Sequence, residues 1–144
     1  MKLTLTPLIA AGLLLTTGIV HAETLEARLY KDPNCGCCVE YARLMEEHGY
    51  QVKSIDVANL GAVKRQAGIP YGEGACHTIE LDGYVIEGHV PFAAIDRLLE
   101  ERPDVDGIGL AGMPIGTPGM PGPKTEDWVV KTFTDGETSP WMTY

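Results

Sequence analysis

Apolar residues recur along this chain in two rhythms. From Leu25 to Tyr30 they alternate with polar ones, as on a strand with one buried face. Lys31-Asp32-Pro33-Asn34 breaks the run. From Cys38 to His48 the spacing turns helical, with Cys38, Ala42 and Met45 on one stripe and Gly49 as a C-terminal stop. Val52 to Val57 alternates again and predicts a second strand. Asn59 is placed to cap a short helix, Leu60 to Ala67, which Gly68 and Pro70 end. Cys76–Leu81 and Tyr84–Glu87 flank Asp82-Gly83, a strong two-residue hairpin signal. Pro91 suits the first position of a third helix, whose buried stripe is Phe92, Ile95, Leu98 and Leu99 and which Pro103 stops.

The predicted order is β-α-β-α-β-β-α. A βαβ unit followed by a hairpin and a helix builds a four-stranded mixed sheet with helices packed on it, the minimal thioredoxin-like α/β arrangement. A ferredoxin-like or other small α/β sandwich is the alternative. From Pro103 to Pro123 the composition changes: Gly and Pro take 11 of 21 positions, which predicts an extended loop without regular structure. Gly112-Met113-Pro114 and Gly119-Met120-Pro121 repeat within it, seven residues apart. Trp128–Phe133, Asp135-Gly136 and Thr138–Tyr144 then read as a closing C-terminal hairpin, with pairing to a sheet edge one option for its docking.

The first 22 residues stand apart from this pattern. Lys2 precedes an uncharged, mostly apolar run of 13 residues, Leu8–Val20, and Val20-His21-Ala22 places small residues at the −3 and −1 positions of a cleavage site. The run falls short of the roughly 20 apolar residues of a membrane span, so a secretory signal is favoured over an uncleaved anchor. The first cysteine is Cys35, which argues against a lipoprotein. A single domain over residues 23–144 follows, exported to the periplasm and free of the membrane once the signal is removed. The net charge of −9 (11 Lys and Arg against 20 Asp and Glu) excludes a nucleic-acid binder and a polybasic membrane attachment.

Four cysteines carry the candidate chemistry. Cys35 and Cys38 form a C-x-x-C pair between a strand and a helix start, the setting of a thioredoxin-type redox motif. A helix N-terminus favours thiolate there. Cys37 is surplus to a dithiol enzyme, and three thiolates within four residues match a soft-metal site instead. A Cys35–Cys38 disulfide with Cys37 packed, or paired to Cys76, is the metal-free alternative in an oxidising compartment. With strands one and two parallel and strand three antiparallel to them, Cys35–Cys38, Cys76 and His89 converge on one edge of the sheet. His77 can join Cys76 at one site only if that stretch is still loop. His48, next to Gly49, reads as a helix C-terminal residue. Met113 and Met120 lie in a Gly/Pro loop that makes a poor core, and thioether suits Cu(I). Met45 reads as core. Zinc on Cys35, Cys38, Cys76 and His89, or an iron–sulfur cluster on four cysteines, satisfies the same ligand count. Thioether, surplus thiolate and export favour copper.

Cys-x-Cys-Cys after the first strand, Cys76-His77, Gly88-His89-Val90-Pro91 and the Gly-Met-Pro loop together resemble the CopG-like periplasmic copper-resistance family, over roughly Leu25 to Tyr144. The resemblance implies a thioredoxin-like fold and Cu(I) in a cysteine-bridged multinuclear site. It also implies oxidoreductase activity interconverting Cu(I) and Cu(II); the C-x-x-C reading makes Cys35 and Cys38 the candidate redox pair. Cys35, Cys37, Cys38 and Cys76 would hold the copper, with His77, His89, Met113 and Met120 as further ligands. Implied partners are copper ions and other periplasmic copper-handling proteins. The chain departs from ordinary thioredoxins at Ala75-Cys76, where they carry a proline. A thiol–disulfide oxidoreductase using Cys35 and Cys38, and a copper chaperone, are the competing functions.

Overall fold

The computed structural model describes residues 24–144; the expected signal segment and cleavage point lie outside them. Among the described residues seven strands form one mixed sheet in the order β2-β1-β3-β4-β5-β6-β7, with three helices. None of these helices is long and apolar enough to cross a membrane.

β1 (Glu26–Lys31) runs parallel to β2 (Gln51–Asp56) and antiparallel to β3 (His77–Leu81). The alternation read in the sequence is the alternation of faces: Ala27 and Leu29 are buried, Glu26 and Arg28 exposed. α1 (Gly36–Glu47) begins two residues before the predicted helix, so Cys37 and Cys38 occupy its first turn and Cys35 is its N-cap. It buries Cys38, Tyr41, Ala42 and Met45, the i, i+3, i+4, i+7 stripe of an amphipathic helix. α2 (Leu60–Gln66) starts where the Asn59 side chain accepts the Ala62 N–H at 3.0 Å.

β3 and β4 (Tyr84–Glu87) form the predicted hairpin. Asp82 and Gly83 both adopt positive φ, 49° and 87°, as a two-residue hairpin turn requires. α3 (Phe92–Glu101) follows, with Pro91 as its N-cap rather than its first residue, and buries Ala94, Ile95 and Leu98. The His77 ring packs on Tyr41 of α1, whereas Thr78 bonds Lys64 of α2. Since successive strand residues face opposite sides, α1 and α2 cover opposite faces of the sheet. α3 shares the face of α1, with Phe92 stacked on Tyr41 at 5.4 Å between ring centroids.

The expectation that residues 103–123 hold no regular element is overturned. Gly107–Gly109 is a strand, β5, parallel to β4 and antiparallel to β6 (Val129–Thr134). Composition misleads here because the glycines fit the strand into a tight place. A Cβ on Gly107 would lie 1.9 Å from the Val85 carbonyl oxygen and 2.7 Å from the Phe133 ring. β5 also settles how the closing hairpin docks: β6 pairs with β5, β7 (Glu137–Thr143) pairs with β6, and the sheet grows from four strands to seven. The rest of that stretch, 110–123, holds no helix or strand, and β6 begins one residue later than the predicted Trp128.

Candidate metal centre

Four segments meet at one end of the sheet. The turn after β1 and the first turn of α1 supply Cys35, Cys37 and Cys38. The bend before β3 supplies Cys76, and the connection between β4 and α3 supplies His89. The four sulfur atoms all lie within 4.8 Å of one another, and Cys76, His77 and His89 form a second such group through Cys76. Cys37 Sγ lies 3.6 Å from Cys35 Sγ and 3.7 Å from Cys76 Sγ, and Cys38 Sγ lies 3.4 Å from the Cys76 carbonyl oxygen. Cys35 and Cys38 are joined as a disulfide, while Cys37 and Cys76 are free and half-buried.

Cys76 lies in the bend before β3 and His77 is the first residue of that strand, so only the cysteine is outside the sheet, yet both reach the same end. Cys76 Sγ lies 3.4 Å from His77 Nδ1 and 2.9 Å from His89 Nε2. His89 Nδ1 lies 2.7 Å from the Pro118 carbonyl oxygen. A carbonyl only accepts, so Nδ1 carries the hydrogen and donates. Burial holds the His89 imidazole below its ordinary pKa and therefore neutral, which leaves the Nε2 lone pair facing Cys76. Burial, followed by its neighbour Cys37, pushes the Cys76 thiol up to about 12. The metal-free pair is thus a thiol donating to an imidazole. A thiophilic cation can replace that proton.

His77 is fully buried and its pKa is held well below the usual range, first by burial and then by His89 and Lys64. Among the described residues its Nε2 has no hydrogen-bond partner, an unusual condition for a buried polar atom. The donor set of thiols and neutral imidazoles suits a soft cation, with no hard carboxylate ligand among the two groups.

The Gly/Pro loop roofs this end. Gly119 lies so close to α1 that a Cβ would come within 3.0 Å of the Cys37 carbonyl oxygen and the Tyr41 nitrogen. Met120 follows it, partly buried, and Met113 stands exposed on the same loop. Met45 is in the core, as expected. His48 ends α1, where its ring faces the Asp96 carboxylate at 3.1 Å, away from the cysteines.

Tyr41 was not singled out in the sequence. Its ring contacts both histidines, at 4.7 Å from His77 and 5.3 Å from His89, and its hydroxyl donates to the Val90 carbonyl oxygen at 2.7 Å. The available signal was its position three residues after Cys38, on the same buried stripe.

Known proteins can now be set beside this geometry. Residues 74–120, which include Cys76, His77, His89, Met113 and Met120, match a family described as "Protein of unknown function, DUF411". A solved structure titled "Copper resistance protein copG- Form 2" is 40% identical over 85% of this chain and 99% of its own, with a TM-score of 0.79. The chain belongs to the CopG family. A second CopG structure, Form 1, is 39% identical over 85% of this chain and 98% of its own, with a TM-score of 0.78. No curated protein matches the chain.

Proposed function

We propose that this CopG relative is an exported copper-resistance protein that binds Cu(I) through bridging cysteine thiolates in a site of several ions, and that it interconverts Cu(I) and Cu(II) by passing one electron per ion to or from an external redox partner. The observation that carries this reading is the meeting of four sulfurs from two distant stretches of chain within 4.8 Å, beside a neutral imidazole. Thiolate selects Cu(I) over hard cations, and bridging thiolates let several monovalent ions share few ligands. Once a dithiol reductant has opened the Cys35–Cys38 disulfide, Cys35, Cys37, Cys38 and Cys76 would hold the copper, with His89, His77 and Met120 completing it and Met113 reaching in from the exposed loop.

The chain's own groups prepare the site. Cys35 is the N-cap of α1, and Cys37 and Cys38 stand in its first turn, at the positive end of the helix dipole. Pro118 fixes the His89 tautomer. The order β2-β1-β3-β4, with β3 alone antiparallel to β1, is the core strand pattern of a thioredoxin-like fold, which we assign to residues 23–144 after removal of 1–22. Other periplasmic copper-handling proteins would supply or accept its ions.

A second reading, thiol–disulfide exchange on proteins, is favoured by the Cys35–Cys38 disulfide. Opening that bond takes two electrons and two protons from a dithiol reductant and yields two thiols. Anaerobic purification of residues 23–144, reduction and Cu(I) titration decide between the two. Binding of more than one Cu(I) per chain supports the copper reading. No binding, together with fast reduction of a test disulfide, replaces it with the second.

A further inference from the structure

Cys76 ends a Gly-rich connection, residues 67–76, and ordering such a segment around one ligand costs conformational entropy. The segment is tied down by a buried group that the copper site does not itself use. Glu87, at the end of β4, is fully buried. Its carboxylate accepts the Ala75 N–H at 2.6 Å, the Thr78 hydroxyl at 2.6 Å and the ammonium of Lys64 from α2. Lys64 also donates to the Thr78 hydroxyl oxygen at 3.0 Å. Ala75 immediately precedes Cys76 and Thr78 lies two residues beyond it, so one carboxylate grips the backbone on one flank of the cysteine and a side chain on the other.

A buried ion pair is a weak source of stability, because desolvating both charges offsets most of their attraction, and well-packed apolar replacements are often neutral or better. What this pair supplies that an apolar pair would not is an acceptor for the Ala75 N–H. Lys64 cancels the charge that the acceptor brings into the interior.

We propose that Glu87, held by Lys64, is a positioning residue that fixes Cys76 where its sulfur meets Cys37 at 3.7 Å and His89 at 2.9 Å. The proposal rests on the reading of Cys76 as a copper ligand. Neither Glu87 nor Lys64 needs to touch the metal. Upstream, Lys131 donates to Glu73 at 2.6 Å and the Gly112 N–H donates to the Gly74 carbonyl at 3.3 Å, so the anchored stretch runs from Glu73 to Thr78.

The test compares two double variants with the unaltered protein. Lys64→Met/Glu87→Gln keeps an acceptor for Ala75 without charge; Lys64→Met/Glu87→Leu removes it. Cu(I) affinity is measured by competition with bicinchoninate, sulfur coordination by X-ray absorption, and Cys76 freedom by iodoacetamide alkylation of the reduced, copper-free chain. The Leu variant should lose about tenfold or more in affinity, the scale of one hydrogen bond to a charged group, while the Gln variant stays within about threefold. The Leu variant should also show fewer sulfurs on copper and faster alkylation of Cys76. Wild-type affinity and alkylation in a folded Leu variant overturn the proposal. If that variant does not fold, amide exchange in the unaltered protein decides. Slow exchange at Ala75 supports the anchor, and exchange as fast as at exposed Tyr71 refutes it. Copper binding unchanged by Cys76→Ser would instead sink the underlying ligand assignment, and the copper-free alkylation result would still stand.

Discussion

Cys37 is the residue that separates a copper site from a simple dithiol. It lies between Cys35 and Cys76, at 3.6 Å and 3.7 Å, and belongs to neither side of the Cys35–Cys38 disulfide. Cys37→Ser should lower the Cu(I) stoichiometry in a bicinchoninate titration while leaving the rate of Cys35–Cys38 disulfide reduction nearly unchanged. An unchanged stoichiometry would remove Cys37 from the ligand set. Tyr41 acts one layer below. Tyr41→Phe keeps the ring against His77 and His89 but strands the Val90 carbonyl, which now accepts the phenol at 2.7 Å. Urea unfolding should show a loss of about 1–2 kcal/mol, the cost of one buried acceptor left unsatisfied.

At the level of elements, β5 is the hinge between the four-stranded core and the C-terminal hairpin. Three residues long, it pairs with β4 on one side and β6 on the other. Gly107→Ala places a methyl group 1.9 Å from the Val85 carbonyl oxygen, a clash with backbone that no rotamer relieves. The expected loss exceeds about 3 kcal/mol, the range of severe overpacking and backbone strain. It should be accompanied by a change in the near-ultraviolet dichroism of Trp128 and Trp141, which flank and line the β6–β7 hairpin. The same substitution at exposed Gly36, whose Cβ would meet nothing within 4 Å, should be nearly neutral. Equal effects at the two glycines would show that the β4–β5 approach is not tight.

Across the whole molecule, the buried histidines link folding to pH. The His77 ring packs on Tyr41 and His89, with Cys76 Sγ 3.4 Å from its Nδ1, and burial first, then His89 and the charge of Lys64 across the sheet, disfavour its protonation. Both imidazoles titrate lower when folded than when unfolded. The unfolded chain therefore takes up protons near pH 6.5 that the folded chain refuses. Stability is complete above about pH 6.5 and declines as pH falls below it. Urea midpoints of the reduced, copper-free protein should fall from pH 7.5 to pH 5, and replacing His77 and His89 together should flatten that slope. Copper should act in the opposite sense. Free Cu(I) at a hundredfold over its dissociation constant stabilises the folded state by about 2.7 kcal/mol, visible as a raised Tm that a chelator reverses.

The chain's pattern of apolar spacing, caps and turn residues determined the first seven elements, because each rests on local chemistry: the Asn59 cap, the Asp82-Gly83 turn and the buried stripe of α1 are written within a few residues of themselves. The Cys-x-Cys-Cys run and its place at a helix start were equally local, as was the family resemblance. Three features were decided only by the folded molecule. β5 was hidden because its glycines look like loop until Val85 and Phe133 close on them. The convergence of Cys76 on the Cys35–Cys38 end was expected from the predicted strand directions, but its contact with Cys37 came only from the folded β3–β1 pairing, which no local signal encodes. Tyr41 and Glu87 were unreadable as parts of the site because their roles consist of contacts with His77, His89, Ala75 and Lys64, partners 12 to 48 residues away in sequence. A residue's chemistry is carried by its side chain, whereas its neighbours are chosen by chain reversal and sheet pairing.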